Sequence, residues 1–413
     1  MQVKKGSNVI SIKSNNRSLL LNAIKKHNGI SRVELSNITG LSKGGISPII
    51  SELLNLGMIK ETGFIDTDSG RKPIQLEINS SCCYTIVIDW TRKDFTIALV
   101  DFAGRAISIN DYIIEQKDTL GDVLNKIKHT VAELIENNRG KRIIGIGVVA
   151  PGPLDYKNGI ILTPPNFRGW SDIPIGSMLE KEFKFPVFVD NNSNAHALAE
   201  KNFGVGKHYH NFINIIVDDG IGAGIIIDDN IYRGTMGFGS EIGHVTINMN
   251  GPQCKCGNTG CLEVYATIPR LTDYANHALA LDKEINSYLS DAASTNTIKW
   301  SDILDGLNLN DEFCVNILNK EIQYIGNILI TLINIFAPQA IVIGSQLAMA
   351  GEHITKPLEE FVYNKIIARK FLLPGIYISK LNYASLKGVA TMVFEHFING
   401  DLGQYEELLD SKQ

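Results

Sequence analysis

Cys254, Cys256 and Cys261 fall within eight residues, and His244 lies ten residues before the first of them. Three thiolates and an imidazole make a closed tetrahedral donor set for Zn2+, so this spacing points to a metal loop over residues 244–261. A redox pair or unrelated free thiols is the competing use of the same cysteines. With every coordination position taken by protein, the ion would be structural and would not generate hydroxide. A second feature is the run Gly220-Ile221-Gly222-Ala223-Gly224, which follows an apolar strand pattern. Such a turn lets a ligand or phosphate approach the backbone closely, though one turn alone is not diagnostic. A third is a set of small polar and cationic residues near the start of the chain: Ser42, Lys43, Gly44, Ser47, Arg71 and Lys72. That mixture suits contacts to phosphates.

The local pattern supplies a scaffold for these last residues. Residues 15–27 read as an amphipathic helix with Leu19, Leu20, Ala23 and Ile24 on one side, ended by Asn28-Gly29. Ser31-Arg32-Val33-Glu34 is a capping box, and Ile30 and Leu35 are placed for a hydrophobic staple. A third helix is expected over 42–56, stopped by Gly57, with Ile46, Ile49, Ile50, Leu53 and Leu54 buried. Pro48 lacks an N–H and is expected to delay or bend its first turn. Helix, short helix, turn, helix is the helix-turn-helix order, in which the second helix of the pair enters the major groove by its N-terminal residues. Strands are expected over 58–65 and 74–78, and the loop between them carries Gly70-Arg71-Lys72 as a wing. The plain alternative is a three-helix protein-interaction module with a hairpin, toward which Asp66 and Asp68 weigh slightly. Charge favours DNA. Residues 1–78 hold 11 Lys and Arg against 6 Asp and Glu, a net of +5, whereas the remainder holds 28 against 38, a net of −10. A basic head on an acidic body is the asymmetry expected when one end meets double-stranded DNA.

The chain of 413 residues is 44% hydrophobic and 20% charged. That excludes a mostly disordered protein and leaves room for two or three domains. Residues 1–16 have no apolar core, so no signal peptide is expected. The most apolar stretch, 325–336, is interrupted by Asn327 and Asn334 and stopped by Pro338, too short for a bilayer. A cytoplasmic protein with no membrane partner is the expectation, and its six cysteines are then not expected to form disulfides.

Beyond residue 79 the pattern is strand-rich in two places. Residues 84–88, 95–100 and 143–149 form one expected set of strands, and 187–189, 212–217 and 224–227 another. Helical stretches such as 120–138 lie between. Two strand-helix lobes in succession suggest an α/β body with a cleft between them.

One longer segment carries a resemblance. Ile231-Tyr-Arg-Gly-Thr-Met-Gly-Phe-Gly-Ser-Glu241-Ile-Gly-His244, then the cysteine loop and Cys261-Leu-Glu263, resembles the signature of the ROK family (repressors, open reading frames, sugar kinases). Ala150-Pro-Gly-Pro153, Thr163-Pro-Pro-Asn166 and Asp190-Asn-Asn-Ser-Asn-Ala195 fit its other segments in order. The match runs over about residues 80–400. With the head, the chain looks like the xylose-repressor and N-acetylglucosamine-repressor branch. The resemblance implies a winged helix-turn-helix domain over 1–79 and an actin-like (ribonuclease H-like) two-lobed sugar-kinase fold over 80–413. It also implies a sugar effector and a homodimer or dimer of dimers. Carried over by motif position, the sugar pocket would be Asn166, Asn191, Asn192, Glu241, His244 and Glu263. Amides and carboxylates can meet a ring of hydroxyls as donors and acceptors. His244 would serve zinc through one nitrogen and a hydroxyl through the other. Without the family pattern, Asn191 and Asn192 read as turn residues after a strand.

The same resemblance separates binding from catalysis. Family kinases carry an aspartate, the base for the attacking hydroxyl, where this chain has Asn192. An amide cannot accept that proton, and such a base is typically worth ~10²–10⁴ in rate. The kinase turn Asp-x-Gly-Gly-Thr is replaced by Asp89-Trp90-Thr91-Arg92, the second phosphate turn by Asp218-Asp219, and the adenosine-side turn by Gly344-Ser345-Gln346. Carboxylates at the second turn repel a triphosphate. No catalytic residue is expected. A transcriptional repressor released from its operator by a sugar is the reading these changes favour, with an ATP-dependent sugar kinase as the alternative.

Overall fold

The computed structural model describes residues 9–27, 29–64, 73–282, 284–290 and 297–399. It opens with α1 (Val9–Lys26), α2 (Arg32–Thr39) and α3 (Lys43–Asn55). α1 starts before the amphipathic pattern does, and its buried apolar residues Leu20, Leu21, Ala23 and Ile24 lie in its second half. Leu19, expected among them, is 43% exposed, and Leu21 takes that place. The capping box forms: Ser31 N donates to Glu34 Oε2 at 2.8 Å and Glu34 N donates to Ser31 Oγ at 3.3 Å. α3 starts at its N-cap Ser42, whose hydroxyl accepts from Gly45 N at 3.2 Å. Pro48 neither delays nor breaks this helix. It stands six residues into α3, past the first turn, so its ring removes the bond that an N–H there would give Gly44 O, yet the helix continues through it.

Three antiparallel strands, β1 (Ile30–Ser31), β2 (Ile59–Phe64) and β3 (Ile74–Ile78), pair in the order β1-β3-β2. β1 is not foreseeable from sequence, because two residues are too few to show alternation. Arg71 and Lys72 of the expected wing lie outside the described residues.

The next two lobes share one topology. The first contains β4 (Tyr84–Trp90), β5 (Asp94–Asp101), β6 (Ala106–Ile113), α4 (Leu120–Glu136) and β7 (Ile143–Ala150). A short hairpin follows, β8 (Leu154–Asp155) and β9 (Ile160–Ile161), then α5 (Ile175–Phe183) and β10 (Val187–Asn191). After α6 (Asn192–Phe203) the second lobe runs through β11 (Phe212–Val217), β12 (Ile221–Ile227), β13 (Asn230–Tyr232), α7 (Glu263–Ala266), α8 (Ile268–Leu281), α9 (Trp300–Asn308), α10 (Glu312–Phe336), β14 (Ala340–Gly344), α11 (Glu352–Tyr363) and β15 (Gly375–Ile378). α12 (Ala384–Asn399) ends the described chain.

The sheet orders are β6-β5-β4-β7-β10 and β13-β12-β11-β14-β15. Each has an antiparallel meander of three strands extended by two parallel ones. The expected grouping of 187–189 with the second lobe is therefore wrong: β10 pairs in parallel with β7 of the first. Proximity in sequence misleads there, because a parallel strand reaches its sheet only after a crossover. β7 is buried along its whole length, as a central parallel strand must be.

α6 lies on the second sheet and α12 on the first, and the two helices pack on each other. Gly388 makes this possible, since a Cβ there would lie 1.7 Å from Ala195 O. α1 in turn packs on α12. The Arg17 guanidinium donates to Ile398 O through Nε at 2.9 Å and Nη2 at 2.5 Å, at the C-terminal end of α12, where a cation also meets the helix dipole. Leu20, Ile24, Leu35, Ile50 and Leu53 of the head join Ile144, Val389, Phe394 and Phe397 of the body in one core cluster. Head and first lobe are therefore expected to melt in a single calorimetric transition. Phe394→Ala, which removes a ring packed edge-on to Phe102, should cost ~3–5 kcal/mol and lower that transition as a whole. A head that melts separately at lower temperature would show that the shared cluster does not couple them. Among the described residues no helix is long and apolar enough to cross a membrane.

Candidate functional site

The metal loop is built by backbone pairing. Thr246 bridges Cys261 and Gln253 bridges Thr259, which folds residues 246–261 back on themselves. Cys254 N donates to Asn258 O at 2.7 Å, and the Asn258 amide donates to His244 O at 3.2 Å and Thr246 Oγ1 at 3.0 Å. The ligand atoms of His244, Cys254, Cys256 and Cys261 all lie within 4.8 Å of one another. His244 Nδ1 is 3.8 Å from Cys254 Sγ, and Cys256 Sγ is 3.7 Å from Cys261 Sγ. A tetrahedral zinc with ~2.3 Å bonds to sulfur has S···S edges of ~3.8 Å, so this donor set fits that ion. No disulfide is present among the six cysteines.

The other nitrogen of the same histidine faces the cleft. His244 Nε2 is 3.5 Å from Glu263 Oε2. Glu263 opens α7, and its second oxygen lies 3.9 Å from Arg92 Nη2 of the β4–β5 turn. Glu241 is placed by a 3-10 turn, Ile242–His244, that it precedes, and its Oε1 lies 3.3 Å from where a Cβ on Gly152 would be. Glu241 keeps an exposed surface, yet partial desolvation pushes its carboxyl up, His244 and Arg92 oppose this, and Glu263 adds to it. Asn191 pairs with Ala150 at the end of the first sheet, two residues from Gly152. It is also the N-cap of α6, accepting from Asn194 N at 2.8 Å. Asn192 starts that helix, and its buried Oδ1 has no hydrogen-bond partner among the described residues. Asn166 is exposed and has a left-handed backbone, φ 61°. The carbonyl before it, Pro165 O, accepts from Arg92 Nε at 2.9 Å. The structure thus brings Glu241, His244 and Glu263 together and sets Asn166 beside them through Arg92. Asn191 and Asn192 come in from the end of β10.

Sequence reasoning misses two participants. Arg92 marks only a lost glycine of a phosphate turn when read in sequence. Asp190 is buried and binds Arg233 Nε at 2.9 Å and Nη2 at 2.8 Å, a tie between lobes. Its position inside Asp190-Asn-Asn gives the only hint. Phe167, next to Asn166 in the chain, clusters with Trp90 and Trp170 as tilted rings, with Trp90–Phe167 centroids 5.3 Å apart and Trp90–Trp170 centroids 6.1 Å apart.

The three turns that depart in sequence from a kinase's nucleotide turns are tied to protein here. Asp89 accepts from Ser385 at the start of α12, and burial pushes its carboxyl up to about 6. Asp218 accepts from the Ser345 hydroxyl and, at 3.3 Å, from Gln346 N. Asp219 Oδ1 pairs with Lys93 Nζ across the cleft at 2.7 Å.

In the head, Ser42, Lys43, Gly44 and Ser47 are all exposed at the start of α3, while Ile46, Ile49, Ile50 and Leu53 face inward. Ser47 Oγ donates to Lys43 O at 3.0 Å, and that hydroxyl still has lone pairs free to accept.

A model described as ROK family matches residues 85–395, and one described as winged helix-turn-helix DNA-binding matches residues 14–60. The xylose repressor of Bacillus spizizenii is 33% identical over 395 residues, covering 94% of this chain and 97% of its own. A solved ROK family transcriptional regulator, described as a homologue of the Escherichia coli Mlc protein, superimposes at a TM-score of 0.81 and 25% identity over 97% of this chain and 100% of its own. The solved ROK family glucokinase of Streptomyces griseus, in complex with glucose and AMPPNP, superimposes at 0.66 and 27% identity over 75% of this chain and 98% of its own.

Proposed function

The chain belongs to the ROK family, and on that footing we propose that it is a sugar-responsive transcriptional repressor and not a sugar kinase. One observation carries the reading. The groups suited to sugar hydroxyls stand together in the cleft, while Asn192, an amide, takes the place of a base, and Asp219 and Asp218 are paired with Lys93 and Ser345. Binding persists in such a site where phosphoryl transfer does not.

In this proposal residues 1–79 are a winged helix-turn-helix DNA-binding domain and residues 80–413 the sugar-binding body. Ser42, Lys43, Gly44 and Ser47 meet the operator through the start of α3, and Arg71 and Lys72 of the wing add phosphate contacts. A homodimer, or a dimer of dimers, presents paired heads to operator half-sites in the cytoplasm. The sugar is held by Asn166, Asn191, Asn192, Glu241, His244 and Glu263. His244, Cys254, Cys256 and Cys261 hold a structural Zn2+, which would fix the histidine ring so that Nε2 stays turned to the cleft.

The fold offers a route from sugar to DNA. Asn191 and Asn192 begin α6, α6 packs on α12, and α12 carries α1 of the head. A sugar that favours one lobe arrangement shifts α6 against α12 and thereby the spacing of two heads. Coupling of ~1–3 kcal/mol is typical of such systems and would suffice.

The expected result is that one sugar raises the melting temperature and releases an operator duplex, while ATP does neither. At a hundred times its Kd the sugar should add ~2.7 kcal/mol of stability. Thermal shift and gel retardation with the full chain check this. ATP-dependent phosphorylation of that sugar would overturn the repressor reading.

A further inference from the structure

We infer that Arg92 is a further effector-site residue, which together with Glu263 reads one neutral hydroxyl of the sugar and rejects a phosphorylated one. The inference rests on the proposed sugar site and names the class of ligand it takes. Arg92 sits on the β4–β5 turn of the first lobe, with its side chain only 19% exposed. Its Nε is spent on Pro165 O at 2.9 Å, which fixes the plane of the guanidinium. Among the described residues, neither Nη1 nor Nη2 has a hydrogen bond, and Nη2 stands 3.9 Å from Glu263 Oε1. That gap is too long for a direct bond and right for an oxygen held by both groups.

Gly220 forms the floor of the niche. A Cβ there would lie 2.6 Å from Glu263 Oε1 and 2.8 Å from Arg92 Nη1, so any side chain would fill it. A guanidinium only donates and a carboxylate only accepts. A hydroxyl serves both, because its oxygen accepts from Arg92 while its hydrogen goes to Glu263. A phosphate has oxygens for Arg92 but brings its charge against Glu263 and the neighbouring Glu241. The other cation nearby, Lys93, is already engaged by Asp219 at 2.7 Å. A ligand that lacks this hydroxyl would leave both Arg92 and Glu263 unmet, the case in which polar sites discriminate most strongly.

The experiment uses the full chain and follows tryptophan fluorescence and thermal shift. D-xylose, D-glucose and N-acetylglucosamine are titrated, each beside its phosphorylated counterpart. Single-deoxy analogues of the responding sugar follow. Arg92→Gln should weaken the free sugar about tenfold or more, and Arg92→Lys less. One deoxy analogue should bind wild type weakly yet lose nothing further in Arg92→Gln. A purely structural role would not produce that selective insensitivity. Gly220→Ala, tested separately, should lower affinity for the free sugar and spare the same analogue. Equal affinity of Arg92→Gln and wild type for every sugar overturns the inference and leaves the repressor reading intact. So does tighter binding of a sugar phosphate that depends on Arg92. If no sugar binds wild type, the repressor reading falls, and this inference with it.

Discussion

Cys261→Ser is expected to remove the metal from the chain and to abolish the sugar response. Cys261 is fully buried, lies opposite Thr246 in the loop's backbone pairing and is two residues from Glu263. Structural zinc contributes ~10–16 kcal/mol to the folding of isolated finger peptides. The loss here should be smaller, because the loop is also anchored by Asn258, through its amide bonds to His244 and Thr246. A cost of several kcal/mol is still expected, since serine offers no thiolate and the remaining donors are left close together without a cation. The His244 ring would then lose the partner that orients it and face Glu263 in several ways. Elemental analysis should read one zinc per wild-type chain and none in the variant. Melting temperature and operator release report the rest. A metal-free chain that keeps its full sugar response would refute the structural role assigned to the ion.

Glu263→Gln should raise the sugar concentration needed for half-maximal operator release about a hundredfold. The estimate comes from hydrogen bonds to charged groups, worth ~1.5–3 kcal/mol, or roughly 10–150-fold in affinity. Glu263 is half-buried and faces His244 at 3.5 Å and Arg92 at 3.9 Å, so its charge organises both neighbours. Glutamine keeps the shape and one acceptor but turns a donor toward one of them. Fluorescence titration through Trp90 and Trp170, whose rings meet at a tilt, measures the affinity directly. An unchanged midpoint would place the sugar elsewhere in the cleft.

Local chemistry is legible before the fold is. The capping box at Ser31 and Glu34, the exposed start of α3 and the cluster of one histidine with three cysteines all follow from spacing within a few residues. Composition and periodicity also show two α/β lobes. They do not show which lobe owns β10, because its partner β7 is reached across a hairpin and α5. Long-range pairing leaves no periodic trace in either strand. The closed phosphate turns are half visible. Asp218 and Asp219 are read from sequence as unfriendly to a triphosphate, but their partners Ser345 and Lys93 lie far away in sequence. Arg92 is hidden for the same reason. As a residue it marks a missing glycine, and only the approach of Gly220 and Glu263 gives it a role.

The contact between Arg17 and Ile398 spans 381 residues of chain, and that bears on how the protein is born. The head leaves the ribosome before the body, yet Val389, Phe394 and Phe397, which complete its apolar cluster, lie at the far end of that body. At ~5–20 residues per second the interval is roughly 20–75 s. Throughout it the head waits with a greasy face uncovered, a state that invites chaperones. A nascent or truncated chain therefore presents an unfinished head to the genome, and firm seating on an operator waits for a finished sugar sensor. Synthesis order and packing together act as a quality check on the regulator.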